Sequence, residues 1–226
     1  MPKDKVSKAV RKYKNLQKQV QANTALLKQT VEGKQIYISG RDPQALNGFS
    51  YYNIMDGLAQ GVADTGTGSA VSTGARIGNS VNVKSITLKM LLNGQHYTVD
   101  PLNPNGKSLG LYRLIVYNSP CGATLSKDDI LREAGTSSTC LKSHYKIDVA
   151  QGKMYDIWYD RVFCIDDAHT CKNIDFTKRW KNGKKLIFDD NNVSPSNFKP
   201  RVLLIGVDNV NSDDFHYSFK VKYEDL

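Results

Sequence analysis

Near the end of the chain, Phe215, Tyr217, Phe219, Val221 and Tyr223 alternate strictly with His216, Ser218, Lys220, Lys222 and Glu224. Successive side chains of a strand point to opposite faces, so this pattern demands a β-strand with one buried and one wetted side. Such a strand is not stable alone. It needs hydrogen-bonded neighbours and a second layer over its apolar face. The rest of the chain supplies candidates. RVLLIGVDN, from Arg201, is apolar almost throughout and suits a central strand. Residues 154–165 (MYDIWYDRVFCI), YRLIVYN from Tyr112 and SITLKMLL from Ser85 are rich in β-branched and aromatic residues. Weaker candidates cover 49–58, 173–177 and 185–188. Around Ser85 the apolar phase slips: Val81 and Val83 are odd-numbered, whereas Ile86, Leu88, Met90 and Leu92 are even-numbered. A β-bulge accounts for that slip. One short helix is expected in the body, capped by Ser126 with Asp129 three residues on and closed by Gly135. It falls in a long connection, residues 119–152. About eight strands with variable loops make this a mainly β protein, a sandwich or a barrel.

The start of the chain follows other rules. Residues 5–32 contain no Gly or Pro. Wound at ~100° per residue, Val6, Ala9, Val10, Tyr13, Leu16, Val20, Leu27 and Val31 share about one third of the circumference, and Lys8, Arg11, Lys12, Lys14 and Lys18 fall mainly on the other side. An amphipathic helix with a basic face follows. Alone in water it is marginal, and it orders against a partner. Charge sharpens the point. Residues 1–34 hold nine Lys/Arg against Asp4 and Glu32, a net of +7, whereas the other 192 residues hold 22 against 20, a net of +2. A basic block on a near-neutral body is an interaction arm for a polyanion. The chain therefore divides into a basic nucleic-acid-binding arm, 1–34, and a β-rich body, 35–226. The arm cations expected to meet phosphate are Lys3, Lys5, Lys8, Arg11, Lys12, Lys14, Lys18 and Lys28. They need no fixed geometry, because counterion release supplies the affinity.

A second cationic stretch is DFTKRWKNGKK, from Asp175. Here Lys178, Arg179, Lys181, Lys184 and Lys185 surround Trp180, with Asn182-Gly183 as the expected turn of a hairpin. Cations around an aromatic ring can grip single-stranded nucleic acid by stacking and phosphate contact. A solvated turn whose Trp packs at a subunit contact fits equally. The pairs Asp128/Asp129, Asp166/Asp167, Asp189/Asp190 and Asp213/Asp214 are placed as solvated turn acids, or as oxygen ligands for Ca²⁺ gathered from two chains. GTGSAVSTG, from Gly66, lacks the Lys-Ser/Thr of a phosphate loop and reads as an inter-strand loop.

No catalytic set emerges. His96, His144, His169 and His216 are scattered, with no nucleophile motif nearby. Cys121, Cys140, Cys164 and Cys171 have no CxxC spacing, and Cys164, His169 and Cys171 lack the fourth ligand of a zinc site. Free, mostly buried thiols are expected. No run resembles a signal peptide or approaches the ~18 apolar residues of a membrane span, so a soluble protein from a reducing compartment is expected.

YYNIMDGLAQG, a Gly-rich gap and ARIGNSVNVKSITLKMLL carry a resemblance. A strand ending in a Gly-containing turn, then an Arg-x-Gly-x-x-Val segment (here Arg76 to Val81), resembles the single jelly-roll capsid proteins of small icosahedral viruses. The nearest are those of satellite tobacco necrosis virus and of circular, Rep-encoding single-stranded DNA viruses. The later order, YRLIVYNSP, a long loop, MYDIWYDRVF, LLIGVD and the aromatic last strand, is similar too. The resemblance implies an eight-stranded antiparallel jelly roll. Strands B to I would fall near 49–58, 78–92, 110–118, 153–165, 172–178, 184–189, 201–209 and 215–224, in sheets B-I-D-G and C-H-E-F. Loops 59–77, 119–152, 179–184 and 209–214 would cluster at one apex. It also implies a homo-oligomeric shell, commonly of sixty copies, with arms inward on viral genomic nucleic acid, DNA rather than RNA. Sixty arms of net +7 neutralise roughly 420 phosphates. The virion is the implied location, with the host nucleus a stage before assembly if the genome replicates there. Neither a cofactor nor a membrane partner is implied.

Two hypotheses follow: a structural capsid subunit that packages a genome, and a monomeric β-sandwich module that binds carbohydrate or single-stranded nucleic acid. An enzyme ranks third.

Overall fold

The computed structural model describes residues 10, 12–23, 33–42, 48–55, 58, 79–93, 110–119, 122–146, 155–165, 171–189, 194–207 and 214–225. The alternating terminal segment forms β8 (Asp214–Asp225), with Phe215, Phe219, Val221 and Tyr223 buried. It lies between β1 (Gly33–Asp42) and β3 (Ser80–Asn93), and β3 in turn pairs with β6 (Cys171–Ile187). The second sheet runs β2 (Gly48–Asn53), β7 (Lys199–Val207), β4 (Gly110–Ser119), β5 (Asp156–Ile165). Every pairing is antiparallel. In jelly-roll lettering β1 to β8 are B to I, and the two orders are B-I-D-G and C-H-E-F. The fold is the expected jelly-roll sandwich.

The lettering of individual strands needs correction. The first sandwich strand is β1, which the sequence pattern did not reveal, so 49–58 holds the second strand, 78–92 the third, 110–118 the fourth and 153–165 the fifth. The segments 172–178 and 184–189 then belong to one strand, β6. β1 was hidden because its inward row, Ile36, Ile38 and Gly40, ends in a glycine. That glycine faces Tyr217 across the strand pair, and a Cβ there would lie 2.3 Å from the tyrosine oxygen. The missing side chain is the space the ring fills.

The phase slip at Ser85 is a real irregularity: the register of β3 shifts between Val83 and Ser85 against both neighbours. Between those two points β8 advances one residue, from Tyr223 to Lys222, making Lys84 the bulged residue. On the other flank β6 runs from Lys184 to Arg179 and so inserts extra residues. Asn182 and Gly183 sit in that insertion. Gly183 takes a left-handed φ of 77° and lies against the Asn82 side chain. The expected hairpin turn is therefore a bulge inside a continuous strand. Turn chemistry marks both, which is why sequence alone confused them.

The loops do not share one apex. Segment 179–184 is strand; 59–77 and 119–152 leave the strand ends Asn53 and Ser119, whereas 209–214 begins past Val207, at the opposite end.

Inward rows of both sheets make one core, including Ile86, Leu88, Tyr112, Leu114, Val202 and Phe219. Tilted aromatic contacts join the layers: the Tyr52 ring of β2 lies 4.9 Å, centroid to centroid, from both Phe215 and Tyr217 of β8. A second apolar cluster lies on the outward side of the β2-β7-β4-β5 sheet, where Ile115, Tyr117, Leu203 and Ile205 meet Leu125, Ile130, Leu131 and Cys140. The segment 122–146 thus covers that sheet. It contains α2 (Lys127–Ile130) and α3 (Ser137–Lys142). Asp129 accepts hydrogen bonds from the Ser126 backbone N–H (2.7 Å) and hydroxyl (2.8 Å), as the capping pattern predicted, and both hold its carboxyl below the usual range. The helix ends before Gly135, because Leu131 pairs with Tyr145 and the Arg132 N–H donates to the His144 carbonyl. The Thr136-capped α3 was not foreseen.

Under this cover the Arg113 guanidinium clamps Asp160 through Nε (2.9 Å) and Nη2 (2.8 Å), and its Nη1 donates to the Cys140 and Ser143 carbonyls. Tyr145 also donates to Asp160, at 2.6 Å. Burial alone would raise the Asp160 carboxyl, but the Arg113 and Tyr145 hydrogen bonds outweigh it and hold the group low. Arg113→Met should cost about 1–3 kcal/mol by urea denaturation, since it leaves a half-buried carboxylate without its guanidinium partner. The same change in an Asp160→Leu background should cost much less. Because the carboxyl is depressed, the pair's contribution is complete above the ordinary carboxylate range and fades as pH falls through the depressed value. Acid stability of the two single variants should therefore lose that pH dependence; an unchanged profile would remove the pair from the account.

Candidate nucleic-acid interface

Residues 12–23 form α1, and Val10 is helical too. Its turns bring Val10, Tyr13, Leu16 and Val20 along one side, exposed at 48, 68, 58 and 57%. Lys12, Lys14 and Lys18 are exposed around the remainder of the helix. Both faces anticipated from the sequence are thus present over this span, and both are open to solvent. Lys3, Lys5, Lys8, Arg11 and Lys28 lie outside the described residues, as do Val6, Ala9, Leu27 and Val31.

The cationic stretch of β6 divides by strand alternation and by the bulge. Lys178, Trp180 and Lys184 are half-buried, whereas Arg179, Lys181 and Lys185 are exposed. The first group lines a cleft of about 270 Å³ at the open edge of the sandwich, with Asn118, Asp156, Trp158 and Phe198. There the Trp158 ring lies 5.8 Å edge-on from Trp180 and 5.8 Å from Phe198, and Trp180 is 5.9 Å from Phe198. The Lys178 ammonium sits 5.7 Å above the Trp158 ring and the Lys184 ammonium 5.9 Å above Phe198. Trp158 and Phe198 were not anticipated. They come from β5 and from the segment before β7, in the sheet opposite β6, and no local pattern in the sequence links them to Trp180. The cleft offers aromatic edges and two cations, a combination suited to phosphate beside a flat ring.

The other candidates are used structurally. Asp128 pairs with Lys127 at 2.8 Å, and Asp129 caps α2. Asp214 pairs with Arg41 at 2.5 Å and lies 3.9 Å from His216. Asp189 is exposed. Asp166, Asp167, Asp190, Asp213, His96, His169, Cys121 and the Gly66 loop lie outside the described residues. Among the described residues no group of three or more His, Cys, Asp and Glu gathers to hold a metal ion. Among the described cysteines Cys140 is buried, Cys164 half-buried and Cys171 exposed, so the expected burial holds for Cys140 alone of these three. No helix among the described residues is long and apolar enough to cross a membrane.

No protein-family model matches the chain, and no curated protein does. Solved structures of similar architecture are virus coat proteins. A turnip yellow mosaic virus chain is 9% identical with a TM-score of 0.39, covering 87% of this chain and 82% of that one. The BFDV capsid protein in a decameric form is 11% identical with a TM-score of 0.37, covering 86% and 98%. The same capsid protein as a 60-mer is 10% identical with a TM-score of 0.32, covering 86% and 93%.

The chain's two tryptophans both line the cleft, so selectively excited fluorescence reports this place alone. With one ammonium over the Trp158 ring and a second over neighbouring Phe198, the ratio of iodide to caesium quenching should exceed that of free N-acetyltryptophanamide at equal ionic strength. Lys178→Gln with Lys184→Gln should bring that ratio down toward the free compound's. A ratio no greater than the free compound's in the unaltered protein would deny the cationic surroundings.

Proposed function

We propose that this chain is a viral capsid subunit whose body self-assembles into a small icosahedral shell, and whose arm packages the genome by phosphate contacts that ignore sequence. The observation that carries this is a jelly roll in the order β1-β8-β3-β6 and β2-β7-β4-β5, with a basic amphipathic helix ahead of its first strand. A body of net +2 can pack against copies of itself without strong repulsion, while the +7 block sits where it need not be buried between subunits. The apolar row of α1 supports the same reading: Val10, Tyr13, Leu16 and Val20 stand exposed, and neighbouring arms would cover them. The resemblance noted in the sequence points to sixty copies and single-stranded DNA, with the virion as the place of function.

Removing residues 1–32 should leave thermal unfolding of the sandwich unchanged and strip nucleic acid from the purified particles, read by their ultraviolet absorbance ratio. In the full chain, Lys12→Gln, Lys14→Gln and Lys18→Gln together should lower the slope of log affinity against log salt by about 2, at ~0.7 per phosphate contact on a single strand. Wild-type packaging by the truncated protein would show that the arm has another role. A monomer at every salt concentration would favour the binding-module alternative.

A further inference from the structure

The two sheets turn very different outward faces to their surroundings. That of β2-β7-β4-β5 lies under the 122–146 segment and its apolar cluster. Among the described residues, no helix or loop packs a comparable cluster on the outward side of β1-β8-β3-β6. Three registered rows define the middle of that side. Gln35, Lys222, Ser85 and Arg179 lie side by side across the four strands. The next row is Tyr37, Lys220, Thr87 and Thr177, and the third is Ser39, Ser218, Lys89 and Asp175. Their chain neighbours Ile36, Val221, Ile86, Phe219 and Leu88 are all buried, which fixes these residues as outward.

This grid has an unusual chemistry. It carries four cations, five Ser or Thr hydroxyls, a tyrosine and a single acid, with no aliphatic side chain. Lys181 and Lys185 extend it, exposed, along the β6 edge. Elsewhere on the face cations are neutralised, Lys84 by Glu224 at 2.6 Å and Arg41 by Asp214. Lys89, Lys222 and Arg179 make no ion pair among the described residues, and the Lys220 ammonium rests 5.0 Å above the Tyr37 ring. A sheet face that merely meets water does not need four cations against one acid within three rows, where like charges repel one another. Hydroxyls interleaved with Lys and Arg are the donors that bind sugar-phosphate backbones. Like-facing positions repeat roughly every 6.8 Å along a strand, a step comparable with the spacing of adjacent phosphates in an extended single strand. Gly33, which follows the basic arm in sequence, opens β1, the edge strand of this same sheet.

We infer that the outward face of the β1-β8-β3-β6 sheet, centred on Lys89, Lys220, Lys222 and Arg179, is a second binding surface for the backbone of single-stranded nucleic acid. It therefore faces the interior of the shell. The inference rests on the capsid reading for its ligand but not on the arm.

The test uses the full-length chain and a fluorescent oligothymidylate, with anisotropy measured across a salt series. The variant K89Q/R179Q/K220Q/K222Q alters only exposed or half-exposed strand positions, and circular dichroism and thermal unfolding check that it folds. Its salt slope should be smaller than wild type by about 3, at ~0.7 per contact. The arm variant K12Q/K14Q/K18Q is measured beside it. Loss with the arm variant and none with the folded sheet variant overturns this inference and leaves the arm assignment standing. Loss with the sheet variant alone supports the inference and removes the arm assignment. If the sheet variant fails to assemble in the absence of nucleic acid, the face is a contact between subunits and the inference falls. If genome-filled particles bind heparin through these four residues, the face is external and the inference falls again.

Discussion

The hydrogen-bonded row of β8 is the constraint on which the rest of the sandwich depends. β8 is paired along nearly its whole length on both sides, with β1 from Gly33 to Asp42 and with β3 from Val81 to Asn93. Its inward aromatics then reach the other sheet through Tyr52. A slip of one residue would turn Phe215, Tyr217, Phe219, Val221 and Tyr223 to water and bury Lys220 and Lys222. Among the described strands none other carries so sharp a penalty for the wrong register. The opposite sheet has β7 in the corresponding place, but β7 is buried on both faces, so its apolar run fixes its depth better than its phase.

That difference explains what could be read from sequence. β8 was legible because alternating polarity encodes both the strand and its orientation. The bulge near Ser85 was legible for the same reason, as a change of parity between Val83 and Ile86. β1 was not, because the space at Gly40 is filled by Tyr217, a residue 177 positions away. The Asn182-Gly183 pair was misassigned because a left-handed glycine serves a hairpin and a bulge alike, and only the partner strand distinguishes them. The count of eight strands survived because one missed strand and one strand wrongly divided compensated each other.

The candidate interface was legible to a different degree. Charge is additive along a chain, so the basic arm could be recognised without knowing any contact. The cleft could not, because Trp158 and Trp180 belong to strands of different sheets and meet only across the open edge of the sandwich. The cationic sheet face was hidden more deeply. Lys89, Arg179 and Lys222 come from three strands, and placing them on one side requires the sheet order and the position of the bulge.

The bulge itself ties the fold to that chemistry. At it, Lys84 stands beside Glu224 and is neutralised. Past it, Ser85, Thr87 and Lys89 take the outward positions and leave Ile86, Leu88 and Met90 for the core. Without the extra residue the two halves of β3 could not both bury their apolar side chains, and Lys89 would point inward. One inserted residue therefore reconciles a continuous hydrophobic core with a hydroxyl- and lysine-lined exterior. The opposite sheet resolves its own outward face by covering it with the 122–146 segment. The sandwich thus acquires two unlike outer sides, one sealed by its own chain and one left polar and positive. On the proposed capsid reading, that asymmetry lets a subunit face a polyanion in one direction only.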